Sequence, residues 1–471
     1  MLRATASGAT AHAQREVRRL AAVGDYAIDV DSVLLFVLGV VILAIGLAIS
    51  IALHEIGHLV PAKLFGVKVL QYMIGFGPTI WSKRKGETEY GIKAIPFGGY
   101  ISMIGMFPPA KNGGAARASS TSFFATMVQD ARDASADTIG EDEDRTFYKL
   151  PVWKRIIIMF GGPFMNLVIA VVLFAVLLMG FGTAQASTTI GSVSQCVHTA
   201  DSTSTECSAS DPAAPGAEAG ILPGDRLVSI DGVPVESWEA STATIRASAG
   251  KTLDLVVERD GVEKNLALTP LLTERPVLDD AGKPVTDASG AAVTTEVGFV
   301  GIGPAGELVK QPVTAVFPAV GDNISGVAHV ILNLPQRMVD VANAAFSSEE
   351  RDPNGPISVV GVGRVAGEIA ALDSLTVESK VASLIGLLAS LNIALFVFNL
   401  VPLLPLDGGH IAGALWEAIR RGFAKLFRRP DPGPVDTARL MPLTFGVVIV
   451  LGAMSALLVY ADIVKPVNLF G

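Results

Sequence analysis

The sequence predicts an α-helical membrane protein with about four transmembrane helices, a membrane-associated β-hairpin after the first of them, and an inserted, outward-facing α+β domain. Half of the 471 residues are hydrophobic and 17% are charged, and the mean hydropathy is +0.49, too apolar for a typical soluble enzyme. Four stretches could each cross a bilayer, which needs about 20 apolar residues at 1.5 Å rise. A long segment between the second and third is instead broken into short β-rich runs by turn residues. The formal net charge of −9, with no concentrated basic patch, excludes a nucleic-acid partner.

The four stretches are residues 33–53, 156–178, 381–401 and 443–460. The first is no cleaved signal peptide, because Glu55, His58 and Lys63 stand where a small-residue cleavage site belongs. Lysines and arginines crowd the loop after the first span (Lys63, Lys68, Lys83 to Lys85, Lys154, Arg155) and the loop after the third (Arg420, Arg421, Lys425, Arg428, Arg429). Both loops are therefore expected in the cytoplasm, and the connection from about 183 to 380 outside, in a multi-pass cell-membrane protein.

Residues 1–30 conflict with this bias, since Arg3, Arg15, Arg18 and Arg19 precede a span whose start is placed outside. Either stronger downstream loops overrule an outward extension, or translation starts near residues 30–34. The later start is expected; it needs a non-AUG codon, because the next methionine is Met73.

Within the block 31–183, residues 79–100 read as a hairpin or small sheet broken at Lys85-Gly86, and residues 109–145 as a flexible acidic cytoplasmic loop. Outside, residues 184–275 form the α+β domain, with turns at Pro223-Gly224-Asp225, Asp231-Gly232 and Asp260-Gly261 and a first strand near 189–197. Residues 276–380 form a connector with an amphipathic helix, and residues 381–471 hold the last two spans. Cys196 and Cys207 flank a Ser/Thr-rich outward loop. A disulfide closing about a dozen residues would add about 3 kcal/mol in the loop-closure model.

The chemistry starts at the end of the first span with His54-Glu55-Ile56-Gly57-His58. In H-E-x-x-H on a helix, positions i and i+4 share a face, so His54 and His58 can present two imidazoles to one metal with Glu55 beside them to move a proton. Ionisable groups at membrane depth favour a functional site over a chance match. A zinc hydrolase needs a third protein ligand and an open position. Asp407, the one acidic residue of the apolar segment 392–413, can supply it or can simply cap a helix beginning near Gly408.

The pair of segments resembles the site-2 protease family of intramembrane zinc metalloproteases. Residues 54–58 match its HExxH, and Asn399 through Pro402 to Leu406-Asp407-Gly408 match its NxxPxxxLDG signature. The likeness continues in Gly75 to Pro78 (GFGP), in 161–166 (GGPFMN) and in the outward domain, which resembles a bacterial PDZ domain. It implies that His54, His58 and Asp407 bind Zn2+, that Glu55 is general base and then acid, and that Asn399 holds substrate backbone. It also implies a substrate in the lipid bilayer, a single-pass membrane protein such as an anti-sigma factor already shortened outside. The PDZ-like unit would bind a peptide end or only obstruct access. Two other readings remain: a membrane-anchored zinc protease acting on soluble or unfolded proteins, and a catalytically silent PDZ scaffold.

Overall fold

In the computed structural model the described residues are 30–108, 128, 135, 139, 142–197, 207–208, 211–277, 285, 293–347, 351–352, 355–373 and 375–467. The N-terminal extension and most of the acidic loop lie outside them. The chain divides into two compact units, residues 181–311 and the rest.

The larger unit is built on α1 (Val30–Leu64), which carries the first span and the H-E-x-x-H run on one unbroken helix. Then come β1 (Val69–Lys85), β2 (Thr88–Met103) and α2 (Val152–Ala175), which continues as a π-helical turn to Phe181. After the inserted unit follow α5 (Val316–Leu332), α6 (Leu334–Phe346), α7 (Val359–Ala371), α8 (Val377–Asn399), α9 (Asp407–Leu426) and α10 (Met441–Val464). Among the described residues five helices are long and apolar enough to cross a membrane by length and composition; the one beyond the four expected is Val313–Leu332, of hydropathy 1.4. Asp322 and His329 interrupt its apolar run. Its Val316 and Val320 are nevertheless buried beside Phe174, Leu178, Ala389 and Ile393, so packing against α2 and α8 makes up for a weaker apolar signal.

Helices α1 and α2 cross at two glycines. A Cβ on Gly57 would lie 2.2 Å from the Gly161 carbonyl oxygen, and one on Gly161 would lie 2.0 Å from that of Gly57. Small residues let membrane helices approach backbone to backbone. In the first turn of α2, Arg155 donates to Glu417 of α9 at 2.5 Å, and Glu417 is wholly buried. Arg421 and the Val435 N–H also reach the Glu417 carboxylate, at 3.1 and 3.0 Å. Asn392 of α8, with no exposed surface, donates to Ser50 of α1 at 3.0 Å. Buried polar groups in a membrane fold are held in this way because an unpaired one is costly.

The hairpin is longer than its sequence signal, running from Val69 to Met103 around the turn Lys85↔Thr88. It also folds back on itself. Residues 71–74 pair with 99–102 on one side (Tyr72↔Ile101, Ile74↔Gly99) and with 89–92 on the other (Gln71↔Glu89, Ile74↔Ile92), where both numbers rise together. The bend between these segments is the Gly75 to Pro78 stretch, where φ is +90° at Gly75 and +84° at Gly77, a region open to glycine. The acidic end of the loop before α2 is ordered: Arg145 forms a two-pronged bond with Glu87 at 2.8 Å, and Asp142 pairs with Lys68.

In the smaller unit the sheet order is β10-β3-β4-β6-β7, with β5 beside β4. Its strands are β3 (Thr183–Val193), β4 (Arg226–Ile230), β5 (Val233–Pro234), β6 (Leu253–Arg259), β7 (Val262–Leu268) and β10 (Ile302–Val309). Helices α3 (Pro215–Glu218) and α4 (Trp238–Ala247) precede β4 and β6, and β8 (Leu271–Pro276) pairs with β9 (Thr294–Phe299). Leu253, Leu255 and Val257 alternate into a core with Leu227, Ile230 and Ile245. Asp231-Gly232 and Asp260-Gly261 form two-residue turns with φ between +51° and +77°, the mirror-image geometry tight hairpins favour. The first strand begins at Thr183, earlier than the expected 189, because β10 pairs along it from Val309↔Thr183 to Ile302↔Val193. Cys196 and Cys207 form a disulfide, with Cα atoms 5.9 Å apart.

Three outcomes follow. Gly57→Ala should force α1 and α2 apart and lower both thermal stability and zinc content, whereas Gly452→Ala, which meets nothing within 4 Å, should leave both near wild type. Neither Cys196 nor Cys207 should label with a thiol reagent in native membranes until a reductant is added. In the smaller unit Asp225 takes two bonds from Arg259, at 2.6 and 2.7 Å, and one from the Leu222 N–H. These hold its carboxyl below the usual carboxylate range, Arg259 being the main cause. Its stabilisation is therefore complete above the unfolded pKa of about 3.9 and lost as pH falls through the lowered folded value. Asp225→Asn should reduce the acid dependence of unfolding, followed by the fluorescence of Trp238.

Candidate metal centre

Three potential ligands converge from two distant parts of the chain. His54 and His58 lie one turn apart on α1, and Asp407 is the first residue of α9. The Nε2 atoms of His54 and His58 are 3.2 Å apart, and Asp407 Oδ2 is 3.4 Å from the first and 3.3 Å from the second. A tetrahedral zinc with bonds of about 2.0–2.1 Å separates its ligands by about 3.3–3.4 Å. The three spacings fit that ion, and Asp407 Oδ2 is buried with no hydrogen-bond partner, an orphan a cation would satisfy. The helix-cap reading of Asp407 is not what the structure has: Leu406 is the N-cap, and no side-chain cap bond forms.

The imidazoles are oriented from α2. His58 Nδ1 lies 2.7 Å from the Ile158 carbonyl oxygen, so Nδ1 carries the proton and Nε2 turns its lone pair to the site. His54 Nδ1 lies 3.0 Å from Asn166 Nδ2, while Asn166 Oδ1 is buried and unpaired. Turning the amide over gives His54 Nδ1–H an acceptor and leaves its Nε2 free as a ligand. A Cβ on Gly162 would fall 2.1 Å from His58 Nε2 and 2.7 Å from His54 Nε2, so this glycine keeps clear the space the two donors face.

Gly408 and Gly409 work by close approach. A Cβ on Gly408 would lie 2.4 Å from the carbonyl oxygens of Leu400 and Val401, and one on Gly409 would lie 2.5 Å from the Leu404 nitrogen. The segment ending α8 thus packs on the start of α9 and brings Asp407 to the histidines. Neither glycine has a positive φ, so what each supplies is this close contact.

Glu55, 8% exposed, faces two cavities. One, of about 290 Å³, is lined by the three donors together with Gly99, Tyr100, Asn399 and His410. The other, of about 320 Å³, is mostly apolar, with Ile51, Val359 and Leu395 around Glu55 and Asn399. Gly99 comes so near that its Cβ would stand 2.9 Å from Glu55 Cγ. Asn399 therefore sits beside the donors. Asn166 and His410 were missed in the sequence. The signals available were the place of Asn166 in the GGPFMN run and the i+3 spacing of His410 from Asp407.

The model of Peptidase family M50 matches residues 42–428. The chain is 34% identical to zinc metalloprotease Rip1 of Mycobacterium tuberculosis over 446 residues, 93% of this chain and 100% of that protein. It is likewise 34% identical over 449 residues to the Rip1 of Mycolicibacterium smegmatis, with the same coverage. With metalloprotease MmpA of Caulobacter vibrioides the identity is 27% over 400 residues, 82% of this chain and 88% of that protein. A zinc-dependent endopeptidase activity accords with the donor set. The chain belongs to peptidase family M50, the site-2 proteases.

Proposed function

We propose that this zinc metalloprotease hydrolyses a peptide bond in or near the transmembrane segment of single-pass membrane proteins. The observation that carries the reading is the placement of three zinc-compatible donors and Glu55 at the end of a membrane-length helix. His54 follows residue 33 by about one bilayer core thickness at 1.5 Å per residue. The third donor comes from the helix that follows another such span, which favours this reading over a membrane-anchored protease with an aqueous catalytic domain. A silent scaffold would have no use for three largely enclosed donors at ligand spacing.

Zinc, when bound, supplies the Lewis acidity that polarises a peptide carbonyl and acidifies water. His54, His58 and Asp407 would hold the ion. Glu55 takes a proton from the attacking water and delivers it to the departing amine. A helical substrate must first unwind, because its peptide groups are hydrogen-bonded to one another. The 99–102 segment pairs with 71–74 on one side and lines the donor cavity at Gly99 and Tyr100, so it is suited to pair with an extended substrate strand. Asn399 then holds substrate backbone beside Glu55.

The basic loops support a cytoplasmic side for the metal centre and an external side for the smaller unit, where the Cys196–Cys207 bridge suits an oxidising compartment. We assign that unit the PDZ-like role. Among the described residues, β10 ends the sheet with one edge unpaired, which suits capture of a peptide end or a steric check on uncut ectodomains. Substrates already shortened outside, anti-sigma factors among them, fit such a gate.

Glu55→Gln should retain zinc and lose about 10²–10⁴-fold in cleavage rate, the range of general acid–base catalysis. Metal analysis of the purified protein beside a cleavage assay checks this, and wild-type turnover by the variant would refute the mechanism. Asp407→Asn should lose zinc faster to a chelator as well as lose activity. Unchanged metal retention would remove Asp407 from the ligand set. Single-pass proteins accumulating in cells that carry Glu55→Gln would identify substrates.

A further inference from the structure

Helix α9 has two unlike faces. One packs inward through Ala414 and Glu417, both buried, and Arg155 of α2 clamps it there. The other exposes Leu415, Trp416, Ile419, Phe423, Leu426 and Phe427, the last just past the helix end, with 48% (Ile419) to 74% (Leu426) of each accessible. At 100° per residue these six fall on a stripe about 120° wide, opposite Glu417.

The charges beside the stripe are of one sign. Arg420 borders it, Lys425 is exposed in the last turn but on the side nearer Ala414, and Arg428 and Arg429 follow the helix. Among the described residues none of these four meets a carboxylate, whereas Arg421 is engaged by Glu417 and Asp431. The acidic residues of the helix are Asp407, in the metal centre, and Glu417, buried in the clamp. The outer surface is therefore apolar and purely cationic.

Its neighbours say what covers it. Span α8 leads into this helix and α10 follows it, so a bilayer surface lies within reach of the stripe. A helix with bulky apolar residues on one side and unpaired lysines and arginines along it lies in the interface plane, its apolar side among acyl chains and its cations at acidic headgroups. We infer that the outer face of α9 docks on anionic phospholipid in the leaflet nearest the metal centre. The chemistry that recognises the partner is a phosphodiester headgroup without a compensating amine, attached to acyl chains.

Trp416, on the stripe, reports on this directly. In the full-length chain with Trp81, Trp153 and Trp238 replaced by phenylalanine, reconstituted in mixed phosphatidylcholine and phosphatidylglycerol, bromine is placed on the acyl chains of one lipid at a time. Trp416 should be quenched by both, and at least about twofold more by brominated phosphatidylglycerol. Replacing Arg420, Lys425, Arg428 and Arg429 together by glutamine should equalise the two while quenching persists. Equal quenching in the parent chain would overturn the proposal. So would no quenching by either lipid, which would mean that protein, such as a second copy of the chain, covers the face. If the tryptophan replacements impair folding, spin-labelled phosphatidylglycerol and phosphatidylcholine added to the otherwise unaltered chain decide the same question. A greater immobilised fraction of the anionic lipid, lost in the glutamine variant, is the expected result, and equal fractions would refute it.

Discussion

The backbone contact between Gly57 and Gly161 is the constraint on which the rest of the catalytic unit rests. There α1 and α2 touch without side chains between them, and at that distance the Ile158 carbonyl and the Asn166 amide reach the imidazoles of His58 and His54. Those two contacts fix which ring nitrogen carries a proton and hence which lone pair faces inward. The glycine inside H-E-x-x-H thus takes part in ligand orientation through the helix crossing it permits.

The second organising feature is the handling of charge away from water. Glu417 receives Arg155, Arg421 and a backbone N–H. Asp462 near the end of α10 receives Arg351 and the Ser358 N–H. Breaking such a buried pair leaves an uncompensated charge and costs about 3–5 kcal/mol, so each pair acts as a register mark. The first ties the helix that begins with Asp407 to the helix that orients the histidines. The second ties the start of α7 to α10, and Val359 of α7 lines the apolar cavity next to Glu55. Polar residues in both cases stand where precise helix placement affects the walls of the site.

The hairpin and the smaller unit illustrate a different economy, in which single glycines set chain direction. Gly75 and Gly77 fold the ribbon back on itself, so that residues 71–74 serve two neighbours and residues 99–102 come beside Glu55. The two Asp-Gly turns of the smaller unit have the positive φ values their sequence announces. Local chemistry of this kind was readable because it depends on one or two residues. The extent of β3 was not, since its partner β10 lies more than a hundred residues away.

By itself the sequence determined the apolar spans, the one-face placement of His54 and His58, the Asp-Gly turns and the family, because each depends on periodicity, composition or a local motif. It left Asp407 between a cap and a ligand, and only the packing of Gly408 and Gly409 on residues 400–404 carries the carboxylate to 3.3 and 3.4 Å from the two imidazoles, a spacing at which the three could hold a metal. Asn166 could be quoted as part of a motif but given no task until the α1–α2 crossing placed it on His54. The fifth membrane-length helix was hidden for the same reason: Asp322 and His329 weaken its pattern, and its place is held by α2 and α8. What a helix or turn needs is written within a few residues, whereas a metal centre is a set of distances between segments some 350 residues apart, and those exist only once the helices have packed.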